Sequence, residues 1–356
     1  MSKWFICVAL CFIFLLQSNE NNLDTRANKL ILPGMQYSIC GETKKMYVKH
    51  LIKKILPLYE YVTEHEPTET IVEDSLTYEM LLSIQANDEY SMTEEVQEEK
   101  TEPVIALDKL RDFDYLLNHF YIVDSTTTIG ADQLNVDDFM SRNMKIDTST
   151  SGPKVLIFHT HSQEAFIDSV SGDSSTSIVG MGTYLSELLN MKGIESIHHA
   201  GVYDLINGKL DRSSAYQMAE AGVRDILKKY PTIEVVIDLH RDGVPETTHL
   251  VKNVNGKDCA KIMFFNGLSR TKKQGNIAYL ANPYIQDNLA FSFQMQLASE
   301  QLYPGLARKI YLKGYRYSLH MMPKSLLIEA GAQTNTVQEM KNTMELLANI
   351  LSEVLL

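Results

Sequence analysis

Val155-Leu156-Ile157-Phe158 runs without a polar residue and leads at once into His159-Thr160-His161-Ser162-Gln163-Glu164. A short apolar run without alternation is the pattern of a strand buried on both faces, as in a parallel sheet covered by helices. The pattern returns twice. Ile233 to Leu239 (IEVVIDL) leads into His240-Arg241-Asp242-Gly243, and Lys324 to Ile328 leads into Glu329-Ala330-Gly331. Helical spacing separates these runs. Ile178 to Met191 is helical and stops at Lys192-Gly193, a C-cap signal; Ser213 to Tyr230 is helical, with Pro231 beyond its end. Ile194 to His198 and Lys261 to Phe265 read as further strands, Tyr284 to Leu302 as a helix closed by Pro304-Gly305, and Val337 to Leu356 as a last helix. Strand alternating with helix predicts an α/β fold, a mainly parallel sheet flanked by helices.

Upstream, Leu110 to Asp124 (LRDFDYLLNHFYIVD) reads as a helix turning into a strand. Before it the character changes. Residues 64–102 hold 13 Asp and Glu against one Lys, which accounts for the whole net charge of −12. This window is poor in apolar residues and reads as a solvated spacer. Met46 to Val62 has helical spacing interrupted by Pro57. After Met1-Ser2-Lys3, Trp4 to Leu16 is an unbroken run of 13 apolar residues. As a helix it spans roughly 20 Å, less than the about 30 Å of a hydrocarbon core. Gln17-Ser18-Asn19-Glu20 is a poor cleavage site, which favours an uncleaved anchor over a cleaved signal, with Lys3 keeping the N-terminus in the cytoplasm and the rest exported. The expected organisation is a membrane anchor or signal segment over 1–20, an acidic spacer over 21–104 and a catalytic domain over 105–356.

Several classes are excluded. With 356 residues, 44% apolar, the chain is neither disordered nor collagen-like. Four cysteines are too few for a disulfide scaffold; Cys7 and Cys11 lie in the apolar run, and Cys40 and Cys259 are expected as free thiols. No second apolar span suggests a polytopic membrane protein. Lysines and arginines do not cluster as phosphate binding requires, which argues against nucleic acid as a partner.

In open α/β sheets ligands bind beyond the carboxyl ends of the strands. Three buried runs here end in His or Glu. A lone histidine at a strand end is most often structural. Three polar strand ends in one chain, one of them a carboxylate whose burial demands a partner, point to a metal. Catalytic zinc takes three protein ligands from imidazole and carboxylate and keeps one position open. His161 and Glu164, with His240 79 residues beyond His161, fit that scheme, and Glu329 is placed to act as general base. His159 and His161 share one loop, and alternation does not choose between them; His161 is taken as the ligand and His159 as a substrate or supporting contact. Asp242 is either a ligand or a group that orients an imidazole. Arg241 is a candidate for a substrate carboxylate, with a surface ion pair as its bland alternative.

FYIVDSTT (Phe120–Thr127), HTHSQEAF (His159–Phe166), VVIDLHRDGV (Val235–Val244), YPGLAR (Tyr303–Arg308) and LLIEAGAQTNT (Leu326–Thr336) together resemble the stage II sporulation protein P family, from about Leu110 to the C-terminus. The resemblance implies a zinc-dependent amidase or carboxypeptidase-like fold. It implies an N-acetylmuramoyl-L-alanine amidase of endospore-forming bacteria that cuts stem peptides from peptidoglycan, with endopeptidase activity on cross-links. Its setting is engulfment, at the membrane and outside the cytoplasm, beside other membrane-bound engulfment proteins. An N-terminal anchor and acidic spacer match that layout. In the amidase relatives the zinc histidines follow two strands and the catalytic Glu follows a late strand, roles that carry over to His161, His240 and Glu329. Their ligand Glu lies further along, in a helix; Glu164 is instead supported by the His-x-x-Glu spacing of carboxypeptidase relatives. Arg316-Tyr317-Ser318-Leu319 departs from the family's Arg-Tyr-Asn-Gln, replacing two amides that are candidates for holding the stem peptide. A zinc carboxypeptidase, with Arg241 or Arg316 clamping a terminal carboxylate, and a non-catalytic wall-binding scaffold are the rival readings.

Overall fold

A computed structural model of the chain describes residues 107–212 and 214–356. The segment expected as an anchor, the Met46–Val62 helix, the acidic window, the domain start near 105 and Cys40 lie outside the described residues. Among the described residues no helix is long and apolar enough to cross a membrane, and Cys259 is a buried free thiol.

Seven strands, β1 (Tyr121–Val123), β2 (Val155–Phe158), β3 (Ser196–His199), β4 (Val235–Asp242), β5 (Ile262–Gly267), β6 (Ile310–Lys313) and β7 (Ser325–Ala332), form one sheet in the order β1-β6-β5-β7-β4-β2-β3. Every pairing is parallel except that of β5 with β7, which is antiparallel. The sheet is therefore two parallel blocks that run in opposite directions. Strands β2, β4 and β7 all belong to one block, so their carboxyl ends share one edge.

After a single helical turn at Leu107–Leu110, the helices are α1 (Phe113–Phe120), α2 (Val136–Ser141), α3 (Ile178–Met191), α4 (Ala215–Lys229), α5 (Ile285–Leu302) and α6 (Val337–Leu355). Alternation along the strands sorts them onto two faces. Val155, Ile157, Val235, Ile237, Leu239, Leu326 and Ile328 pack with Leu185, Phe291, Phe293 and Leu347 in the main core, under α3, α5 and α6. Leu156, Phe158 and Val236 face the other way, against Ala219 and Val223 of α4. On that second face Met263, Phe265 and Leu327 pack with Tyr216, Tyr317 and Leu319. Each fully buried side chain of this kind contributes about 1.5–3 kcal/mol before entropy is counted. Burial on both faces explains why the strands read as unbroken apolar runs.

The reversed strand is reached without a helix. Between β4 and β5 the chain makes a hairpin, Val251–Val254 with Lys257–Ala260, rather than a helical crossover. The chain then enters the sheet two places from β4, beyond β7, running the opposite way.

Candidate metal centre

The loop after β2 converges on the end of β4. His161 and Glu164 after β2, and His240 within β4, are all buried, and each offers a ligand atom within 4.8 Å of the others. His161 Nδ1 lies 3.7 Å from Glu164 Oε1, and His240 Nδ1 lies 3.8 Å from Glu164 Oε2. The two rings stand 5.0 Å apart at 88°. Ligands bound tetrahedrally to one zinc ion are about 3.4 Å apart, from bond lengths near 2.0–2.1 Å. The separations therefore fit a shared ion, and two imidazoles with one carboxylate are a donor set catalytic zinc uses.

Glu164 is held as an anion. Burial alone would raise its carboxyl, but hydrogen bonding and charge from His161 and His240 outweigh this and hold it well below the usual carboxylate range. The backbone N–H of Arg241 donates to Glu164 Oε2 at 2.8 Å, and Arg212 lies 3.7 Å from Oε1. Tyr216, at the start of α4, sets its ring 5.7 Å from that of His161.

Glu329 is 3% exposed and pairs in register with His240 across β7 and β4. Register partners share a face of the sheet, so the two side chains rise side by side about 4.8 Å apart at the backbone. Glu329 is outside the three-residue group.

The other predicted site residues go elsewhere. His159 is fully buried, with Nδ1 2.6 Å from the Leu239 carbonyl and Nε2 2.8 Å from His198 Nε2. Both ring nitrogens are engaged inside the protein, and the ring packs against α3, where Gly182 leaves it room. Regular alternation stops with β2 at Phe158, which is why two histidines two residues apart point differently. The Arg241 guanidinium donates to the carbonyls of Ala165 (2.9 Å) and Asp242 (3.1 Å), tying the two loops together. Asp242 is not in the group; it accepts from Arg308, the arginine of the YPGLAR stretch, and from Gly243 N–H. Arg316 pairs with Glu220 at 3.3 Å, so both arginines suggested for a carboxylate clamp have partners within the protein. Ser318 and Leu319 are buried, Ser318 Oγ 3.3 Å from Thr160 Oγ1 and Leu319 in the apolar cluster over β5 and β7.

Sequence reading missed three contributors. Asp204 accepts from the Ser162 hydroxyl (2.7 Å) and Gln163 N–H (3.1 Å), pinning the ligand loop; it lies in a polar stretch with no distinguishing pattern. Arg212 is likewise without signal. Asp238 was visible as the one charged residue inside the run Val235 to Leu239. A cleft of about 520 Å³, lined by Ser162, Gln163, Ala165, Phe166, Val170 and Val202 among others, opens beside the loop that carries Glu164.

Fold and site together define an α/β protein with a buried His–Glu–His group at the carboxyl edge of a mainly parallel sheet. The chain belongs to the stage II sporulation protein P family, whose model matches residues 36–352, well upstream of Leu110. It is 25% identical over 224 residues to stage II sporulation protein P of Bacillus subtilis (strain 168), a match covering 58% of this chain and 52% of that protein. The chain thus spans about half the length of the curated relative it matches. Among solved structures it is similar to the CwlD amidase from Clostridioides difficile in complex with the GerS lipoprotein (17% identity, 56% of this chain and 94% of that one, TM-score 0.35). It is also similar to the N-acetylmuramyl-L-alanine amidase Ami1 from Mycobacterium smegmatis (12% identity, 59% and 95%, TM-score 0.34).

Proposed function

We propose that the chain is a zinc-dependent peptidoglycan hydrolase of endospore formation that cleaves the amide between N-acetylmuramic acid and L-alanine, and peptide cross-links as well. The observation that carries this reading is the buried convergence of His161, Glu164 and His240 beside Glu329, in a chain of the stage II sporulation protein P family. His161, Glu164 and His240 would hold a zinc ion, which would supply Lewis-acid polarisation of a carbonyl and a water nucleophilic near neutral pH. Glu329, one strand away from His240, takes the proton from the attacking water and returns it to the leaving amide nitrogen. The cleft beside Glu164 receives the substrate. Arg241 and Asp204 hold the ligand loop still and do not touch the reacting atoms.

The setting belongs to the same proposal. Residues 1–20 anchor the chain in the cell membrane, 21–104 act as a spacer, and the domain from about 105 works outside the cytoplasm between mother cell and forespore, alongside other membrane-bound engulfment proteins. Purified full-length chain incubated with sacculi tests the chemistry. Release of stem peptides that stops with a chelator and resumes with zinc is expected; release indifferent to chelation would overturn the metal reading, and no release at all the enzymatic one.

A further inference from the structure

Asp238 interrupts the apolar run of β4 two residues before His240, on the same face of the sheet. It is 1% exposed, and a buried carboxylate must be paired. Its Oδ1 accepts the backbone N–H of Thr160 at 2.8 Å and lies 2.7 Å from His240 Nε2. Its Oδ2 accepts the Thr160 hydroxyl at 2.6 Å. An ionised carboxylate only accepts, so Nε2 of His240 carries the hydrogen of that contact. With Nε2 so engaged, Nδ1, the nitrogen that faces Glu164, is the one a metal would take.

We propose that Asp238 is a positioning residue: with Thr160 it sets the tautomer and ring angle that present His240 Nδ1 to the metal, and it docks the His161 loop onto the His240 strand. The inference rests on the metal reading of His161, Glu164 and His240. Thr160 sits between His159 and His161, so its two hydrogen bonds to Asp238 place the loop where His161 must stand. One carboxylate thereby registers two ligands that are 79 residues apart. Ser318, at one of the two positions that depart from the family pattern, touches the same network through Thr160. Partners behind a ligand imidazole fix its orientation and raise its basicity, and their loss costs about 10–100-fold in metal affinity.

The test uses the full-length chain labelled with 15N-histidine, without metal, the His240 ring being assigned by its disappearance in His240→Gln. The parent is expected to carry a hydrogen on Nε2, and an Nε2 without one would overturn the proposal. Zinc affinity is then read by competition with a chelating indicator. Asp238→Asn keeps an acceptor and loses the charge, so affinity should fall about 10-fold; Asp238→Ala loses both and should fall about 100-fold. Thr160→Ser should stay near the parent, and Thr160→Val should fall between parent and Asp238→Ala. Affinity within twofold of the parent in folded Asp238→Asn and Thr160→Val would overturn the proposal even if Asp238→Ala fails to fold, and would leave Asp238 a structural residue only. A parent chain that takes up no zinc overturns the metal reading instead; the tautomer, which needs no metal, still decides whether Asp238 sets the ring.

Discussion

Glu329 and His240 are register partners on adjacent parallel strands, so their side chains meet the same space from fixed backbone positions. Glu329→Gln keeps the shape and removes the base. Peptide release should fall about 10²–10⁴-fold while zinc content and melting temperature hold; zinc loss would make Glu329 a ligand, and near-normal release from the folded, zinc-loaded variant would remove its role. A second residue-scale consequence concerns the pair behind the site. Burial, then the neighbouring His159, pushes His198 down to about 3, and the two Nε2 atoms share one hydrogen bond. The folded pKa lies below the unfolded value near 6.5, so the unfolded chain takes up the proton first. The pair's contribution is complete above about pH 6.5 and is lost as pH falls toward 3. Between pH 7 and 5 the parent should lose roughly 1 kcal/mol more than His198→Gln, after allowing for the ring's partial exposure; equal losses in urea titrations would refute this. The clustering of His161, Glu164 and His240 was legible because His161 and His240 stand at the ends of buried runs and Glu164 is three residues from His161. The turning-away of His159 was not, because the two-residue period applies only while the strand lasts.

At the scale of elements, the carboxyl end of β7 depends on Gly331. Its φ is +63°, and the β7–β4 register shifts between Glu329 and Ala332, so the ladder breaks immediately after the Glu329–His240 pair. A Cβ at this position would lie 2.6 Å from Met340 Sδ and 2.9 Å from Ala260 Cβ. Gly331→Ala therefore meets both left-handed strain and crowding against α6, and should cost about 2 kcal/mol or more. An unfolding free energy from urea titration within about 0.5 kcal/mol of the parent's would show that the bulge does not need glycine. Most elements were readable: the four long helices and the site strands come within a few residues of their expected bounds because apolar periodicity marks them. The direction of β5 was not readable, since a strand buried on both faces looks the same either way. Strand β6 was missed because only Ile310-Tyr311-Leu312 is apolar, between Lys309 and Lys313, although Lys313 itself is buried.

For the whole molecule, the deciding fact is where the charge lies. The net charge of −12 is confined to residues 64–102, and the remainder balances at 32 basic and 32 acidic residues. That balance is a sum of two parts: residues 1–63 hold 8 basic and 4 acidic residues, and residues 105–356 hold 24 basic and 28 acidic. A net charge of −4 is too small to steer the domain to the wall, so its access must come from tethering and from the site itself. The family match nevertheless begins at residue 36, which leaves two accounts of residues 36–104: a tether with a family-specific sequence, or a part of the catalytic body. They predict opposite results for a chain truncated to begin near residue 105. As a tether, its loss leaves zinc content, melting temperature and peptide release from solubilised sacculus fragments at parent values, because all three proposed ligands and Glu329 lie downstream. As part of the body, its loss lowers the melting temperature or zinc affinity along with the rate. We expect the first result, since residues 64–102 are acidic and poor in apolar side chains, the composition of a solvated spacer. A fall of tenfold or more in release by a folded truncated chain would assign residues 36–104 to the enzyme itself.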